Sequence, residues 1–427
     1  MPLDLEQSRR WSARAGKVVP GRAQTFSKGP LSFVEGATPA FVRRARGAQV
    51  WDVDGNEYID YILGLGPVIL GHAHPAVNRA VMEQLEDGVA FSLPHPLEVE
   101  LSELLCELIP SAEMVRFGKN GSDATSGAIR LARAITGRDK VARCGYHGWQ
   151  DWYIGSTSRN AGVPQCVRDL TIPFPYADVD ALHRILRAGD VACVVMEPVT
   201  FDAPPADYLP SVRELCTAHG ALLIFDEVIT GFRLRLGGAQ SLFQVTPDLS
   251  CFGKAMANGV PLSAIVGKAE YMRRFEEVFF SFTFGGEAAS LAASLATIRT
   301  LRSENGIEAL WRAGETLRQG TLSAIRAAGL AGTLDCAGLA PWTTLRFLGD
   351  AANHSLLLRS LFQQECAKRG VLTHGNHMLS TAHEDALLVH TITAYHQIFP
   401  ILADALQSGD PASRLEGPPM QAVIRQT

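Results

Sequence analysis

Ala221-Leu222-Leu223-Ile224-Phe225-Asp226-Glu227-Val228 decides the fold. Its first five residues form a continuous apolar run with no polar alternation, as expected of a strand covered on both faces of a parallel sheet. The run stops at an acid. Ligands of open α/β sheets bind at the carboxyl ends of the strands, so Asp226 is placed to meet a cationic ring nitrogen. A helix N-cap and a metal ligand are alternative uses of the same residue. Downstream, Asp248-Leu249-Ser250-Cys251-Phe252-Gly253-Lys254 leads into a turn closed by Gly259-Val260-Pro261. A lysine among apolar and small neighbours loses hydration of its charged form, which lowers its pKa and favours the neutral amine that Schiff-base chemistry needs. A Gly-Lys pair alone is more often a solvated surface feature, so Lys254 is judged by its company.

Outward from this stretch, between about residues 97 and 300, helical patterns alternate with short apolar strands. The candidate strands are 114–117, 191–196, 221–225 and 262–266. This alternation predicts a mostly parallel sheet with helices packed on it. The run 288–301, free of proline and glycine, predicts the helix that leads out of this domain. Upstream, Ala48 to Asp60 reads as two strands around Asp54-Gly55. A helix starting near Pro75 is expected to bury Val77, Val81 and Leu85. After residue 310, helices and mixed short strands suggest a smaller α+β domain that also takes in the N-terminal segment. The proline-rich tail from Gly409 is expected to be mobile.

Composition narrows the function classes. A chain of 427 residues with 47% hydrophobic and 19% charged residues is ordinary for a globular enzyme. A net charge of −5 gives no footprint for nucleic acid. The eight cysteines are scattered, with no CxxC pair and no Cys/His metal spacing, and read as reduced thiols. With no signal-like N-terminus and no membrane-length apolar run, the expected location is the cytoplasm and no membrane partner is expected.

Four further motifs carry chemistry. Asn120-Gly121-Ser122-Asp123-Ala124-Thr125 lies between a strand and a helix, where small residues let backbone N–H groups approach a phosphate. Taken alone, the motif is more often an ordinary N-cap, with Ser122 or Asp123 capping the helix. Cys144-Gly145-Tyr146-His147-Gly148-Trp149 puts aromatic rings beside a loop, for stacking on a flat heterocycle or for core packing. Glu197-Pro198 ends the 191–196 strand at the same sheet edge as Asp226. Ser281-Phe282-Thr283-Phe284-Gly285-Gly286-Glu287 is a glycine-hinged loop that offers a hydroxyl before a helix.

In this order, Gly121-Ser122-Asp123-Ala124, Tyr146-His147-Gly148, Glu197-Pro198, Phe225 to Arg233 and Gly253-Lys254 resemble class III pyridoxal-phosphate aminotransferases over nearly the whole chain. Within that class the pattern looks most like the glutamate-1-semialdehyde 2,1-aminomutases. The resemblance implies fold type I: a mostly parallel α/β sheet with helices on both faces, plus a smaller α+β domain. It divides the chain into an N-terminal segment, 1–65, a large cofactor-binding domain, 66–310, and a C-terminal domain, 311–427. It also implies a homodimer with pyridoxal 5'-phosphate as cofactor. Lys254 would hold the cofactor as an internal aldimine and then move a proton between the substrate carbon and C4′. Asp226 would keep the pyridine nitrogen protonated. Gly121 and Ser122 would bind the phosphate, joined by Thr283 from the neighbouring subunit. Tyr146 and Val228 would cover the two ring faces, with Glu197 nearby.

The departures from the aminomutase pattern concern the substrate side. Lys28 stands where the aminomutase has a carboxylate-binding arginine, keeping charge but losing the bidentate fork. Gly64-Leu65 replaces Ser-Trp. The lid, 155–161, is shorter. Gly285-Gly286-Glu287-Ala288 replaces Ser-Gly-Asn-Pro. A C-terminal glutamate gives way to Thr373-His374-Gly375-Asn376-His377-Met378, whose histidines line a polar pocket or form a hydrogen-bonded surface pair. Lys28, Leu65 and His374 are therefore the expected substrate contacts. The leading expectation is an aminotransferase between an amino acid donor and a ketone or aldehyde acceptor. The alternatives are intramolecular transfer of the aminomutase type, racemase or lyase chemistry on the same scaffold, and a cofactor-binding protein without turnover.

Overall fold

Seven strands scaffold the candidate site. They lie in the order Met114–Gly118, Ser263–Gly267, Leu249–Phe252, Leu222–Asp226, Val191–Met196, Lys140–Cys144 and Thr171–Pro173. The last five are parallel. Ser263–Gly267 runs antiparallel to both neighbours. The segment from Gly253 to Leu262 holds only the 3-10 turn Lys254–Ala257 and is too short for a crossover helix, so the chain can only turn back. That return leaves Lys254 on the carboxyl edge of the sheet.

Both central strands are buried along their whole length. Side chains alternate between faces: Cys193, Val195, Leu222 and Ile224 join one core with the helix Gly121–Thr136. Val194, Met196, Leu223 and Phe225 join another with the helix Tyr208–His219. Each such residue contributes about 1.5–3 kcal/mol by leaving water. Continuing the alternation by one step, Glu197 and Asp226 both fall on the face of the Gly121–Thr136 helix.

The computed structural model describes residues 3–348 and 352–421, which form two compact units. One comprises Pro67–Ile69 and Pro75–Ile307, with the seven-stranded sheet. The other comprises the chain up to Gly66, Leu70–His74 and the chain from Glu308. In this second unit the expected hairpin pairs Gln49–Asp52 with Glu57–Asp60, and Val371–Leu372 adds a parallel strand beside Glu57–Asp60. An unexpected strand, Val42–Arg46, pairs with Gln49–Asp52 at the edge. Three of its five residues are arginines, which suits an exposed edge but hides the strand from hydrophobic periodicity.

Three expectations need correction. The tail is held against the chain over the part described, Met420 N donating to Ser360 Oγ (3.1 Å) and Gln421 N to Leu31 O (2.7 Å), while 422–427 lie outside the described residues. Leu85 is 56% exposed although Val77 of the same helix, Pro75–Asp87, is buried. His377 is no surface residue. It is fully buried between Thr343 Oγ1 (2.9 Å) and Tyr395 OH (2.7 Å), and burial pushes its pKa down to about 3. The helix Asp385–Gln407 has the length and apolarity to cross a bilayer. Tyr395 and Phe399 instead pack on Phe362 of the helix Ala352–Ala367, with ring centroids 5.4 and 6.0 Å apart, as expected of a core helix.

Candidate active site

The parallel register pairs Met196 with Phe225 and Cys144 with Met196, so the residues just beyond converge on one edge. Asp226 is 5% exposed. Its Oδ2 lies 2.8 Å from His147 Nδ1 and its Oδ1 accepts from Val228 N at 3.1 Å. His147 Nε2 faces Cys144 O at 3.0 Å. A carbonyl only accepts, so Nε2 carries a proton, and a further proton lies between Nδ1 and Oδ2. His147 thereby orients the Asp226 carboxylate. The sequence reading placed His147 in a motif but gave it no role. After the strand Lys140–Cys144 the loop turns successive side chains apart, leaving Tyr146 44% exposed and His147 2% exposed.

The helix Gly121–Thr136 begins beside this pair. Asp123 Oδ2 reaches back to accept from Lys119 N (3.1 Å) and Asn120 N (2.8 Å), which fixes the first turn. The first turn is knitted to the aromatic loop through Thr125 Oγ1 to His147 O and Trp149 N to Ser122 Oγ. Gly148 has φ +99°, and a Cβ there would strike Ser122 Oγ. At Gly121 a Cβ would stand 2.9 Å from Val228. The first turn is thus a cradle floored by Val228, which also packs close to Gly253.

Lys254 adopts φ +43° just after Gly253. Burial drives its pKa down. The nearby Glu197 and Asp226 charges oppose this, and the Arg233 guanidinium, itself fully buried and pushed down to about 10, adds to it. Glu197 Oε2 accepts from Tyr146 N at 2.8 Å. Burial and the Asp226 charge raise its carboxyl to about 7. The sign of the consequence follows from linkage. Below about 4.5 both states of the chain hold this proton. Between there and about 7 the unfolded state loses it first, so stability falls as pH rises, by up to ~1.4 kcal/mol per unit. Glu197→Gln is therefore expected to stabilise the apoprotein above pH 7, by at most about 3 kcal/mol, and not at pH 4. Urea unfolding at the two pH values checks this.

These residues fit pyridoxal phosphate: an acid at a strand end for the ring nitrogen, a glycine-lined helix start for the phosphate, and a buried amine of lowered pKa. Gly121, Ser122, Tyr146, Glu197, Asp226, Val228 and Lys254 are gathered in one unit. Thr283 belongs to that unit but stands exposed on the loop 281–286. Lys28, Leu65 and His374 fall in the other unit. There Lys28 is exposed, Leu65 has φ +79°, and His374 packs 4.7 Å from Phe33 with its pKa lowered to about 4 by burial.

Comparison with known proteins agrees. Residues 33–379 match the family model for class III aminotransferases. The chain is 39% identical over 351 residues to a glutamate-1-semialdehyde 2,1-aminomutase of Desulforamulus reducens, covering 77% of this chain and 81% of that one. It is 37% identical over 407 residues to a 3-aminobutyryl-CoA aminotransferase of Cloacimonas acidaminovorans, covering 92% and 97%. A solved structure of the FumI protein of Sphingopyxis sp. MTA144, in its PLP internal aldimine form, superposes with a TM-score of 0.88 at 30% identity, covering 96% of this chain and 99% of that one. The chain therefore belongs to the class III aminotransferases and is a pyridoxal-phosphate-dependent enzyme of fold type I.

Proposed function

We propose that this enzyme moves an amino group between two separate molecules, an amino acid donor and a ketone or aldehyde acceptor, rather than within one. The observation that carries the reading is the contrast between a complete cofactor side and a substrate side altered at Lys28, Leu65, the short 155–161 lid and His374. Intramolecular transfer needs a lid that retains its diamine, and a shorter lid favours release. A relative matching 92% of the chain carries an aminotransferase name.

The geometry above supports the following roles as part of that proposal. Lys254 Nζ, whose pKa burial lowers toward the neutral amine, would be the nucleophile that anchors the cofactor and afterwards accepts and returns the substrate proton. Asp226, oriented by His147, would hold a proton on the ring nitrogen. Gly121 and Ser122 would present backbone N–H groups to the phosphate. Tyr146, anchored through its own N–H to Glu197, would cover one face of the ring, and Val228 the other. When bound, pyridoxal phosphate supplies the electron sink for charge left as the proton departs.

A homodimer completes the proposal, with Thr283 reaching the neighbouring copy's phosphate. Met82, Leu85, Phe91, Leu93, Phe282 and Phe284 all stand exposed on the same unit, apolar side chains that a second copy would cover. The scattered free thiols suit the cytoplasm. Mixing the loaded enzyme with a panel of amino donors, with and without a keto acid, tests the main reading. Aminated acceptor and continued turnover are expected only when donor and acceptor are both present, a donor alone giving at most one equivalent of its carbonyl product per site. Rearranged, racemised or eliminated product from a single substrate would overturn it.

A further inference from the structure

The loop from Phe279 to Glu287 is held at both ends by the strand and helix that build its own phosphate cradle. At its entry, Arg130 Nη1 donates to Phe279 O (2.6 Å) and Arg116 Nη2 to Phe280 O (3.0 Å). At its exit, Lys119 Nζ donates to Glu287 Oε2 (2.9 Å) and to Ser290 Oγ (3.0 Å). Glu287 also caps the helix Ala288–Ser303, accepting from Ala289 N and Ser290 N. Both members of the ion pair are 17% exposed, so the contact is shielded from bulk water. Between the two anchors Ser281, Phe282, Thr283 and Phe284 are exposed. Lys119 is a strut with two ends. Its main chain is bound to Asp123 in the cradle, and its side chain is bound to the loop's exit.

We propose that Lys119 and Glu287 are positioning residues that fix the loop on its own phosphate cradle, so that Thr283 is presented in one place to the phosphate of the neighbouring copy. This rests on the dimer reading above. Glu287 stands where the aminomutase pattern has asparagine, which cannot form the ion pair. The strut is therefore a feature by which this chain departs from that pattern. An alternative use of Lys119, as a direct phosphate ligand, predicts the opposite sign for one variant: freeing the lysine from Glu287 would then tighten cofactor binding.

The test is titration of the apoenzyme with pyridoxal phosphate, read by quenching of tryptophan fluorescence, with sedimentation velocity alongside. Lys119→Met and Glu287→Gln each keep most of the side chain's packing, and the glutamine retains a capping oxygen. Each is expected to raise Kd about tenfold, the double variant no further, and Lys119→Arg to stay near wild type. In a Thr283→Ala background Lys119→Met is expected to add nothing, because its effect acts through that hydroxyl. Tighter binding by Glu287→Gln, a Lys119→Met effect that persists without Thr283, or single variants within twofold of wild type would each overturn the inference alone. A monomeric native chain, or a Thr283→Ala variant that binds normally, would remove the dimer reading and this inference with it.

Discussion

Lys254→Ala is expected to lower turnover by at least about 10⁴-fold, since one side chain serves as both covalent anchor and proton carrier. Among the described residues, none of the charged groups that act on Lys254 can substitute. Arg233 is the other buried cation nearby, and even with its pKa lowered to about 10 it stays charged near neutrality and offers no free amine. Asp226 and Glu197 are acids and cannot form the imine bond. Unfolding would not explain the loss. Burial lowers the pKa of Lys254, so below its folded pKa the apoprotein bears the cost of a buried charge, regained only as pH rises toward the ordinary lysine value. The alanine variant is therefore expected to melt no lower than wild-type apoprotein. Borohydride reduction of the loaded wild type should label Lys254, and the variant should bind cofactor but take no label. Small primary amines should restore part of the activity to Lys254→Ala. Turnover above about 1% of wild type without added amine, or a label on another residue, would sink the assignment.

The parts of this molecule legible in the sequence are those where one residue's chemistry and one strand's end coincide. Leu222–Asp226 and Val191–Met196 could be read because strands covered on both faces are apolar without interruption, and an acid at such an end stands out. The antiparallel return at Ser263–Gly267 was not legible from composition, since a buried strand looks alike in either direction. Its direction follows from the short connection that carries Lys254. Leu249–Phe252, short and broken by Ser250, was not among the candidate strands, and Val42–Arg46 was hidden behind its arginines. His147 escaped assignment because residue type cannot say which of two adjacent aromatic rings turns inward. Only the fold, bringing Cys144 and Asp226 to adjacent strand ends, decides it. Lys119 and Glu287 lie 168 residues apart, and no local pattern joins them.

Asp226→Asn is expected to cost about 10²–10³-fold in turnover, the range for removing one preorganised electrostatic contact. An amide is nearly isosteric with the carboxylate and can still meet Val228 N and His147 Nδ1, so the loss reports charge rather than shape. Neutral asparagine cannot hold a proton on the ring nitrogen, and withdrawal of electrons from the reacting carbon weakens accordingly. The same substitution has a second readout that does not depend on turnover. Burial is the main cause of the high Glu197 pKa of about 7, and the Asp226 charge is the next. Removing that charge lets Glu197 ionise at lower pH. In apoprotein, the stability difference between Asp226→Asn and its Glu197→Gln double variant should therefore open at the same pH as in the wild-type background, near 4.5, but level off at lower pH and reach a smaller plateau. Two outcomes would refute this electrostatic picture: turnover within tenfold of wild type, or a Glu197 titration unmoved by the substitution. The first would show that the acid at this strand end does not govern the cofactor. The second would show that the two carboxylates, adjacent by strand register and facing one side of the sheet, do not share a field.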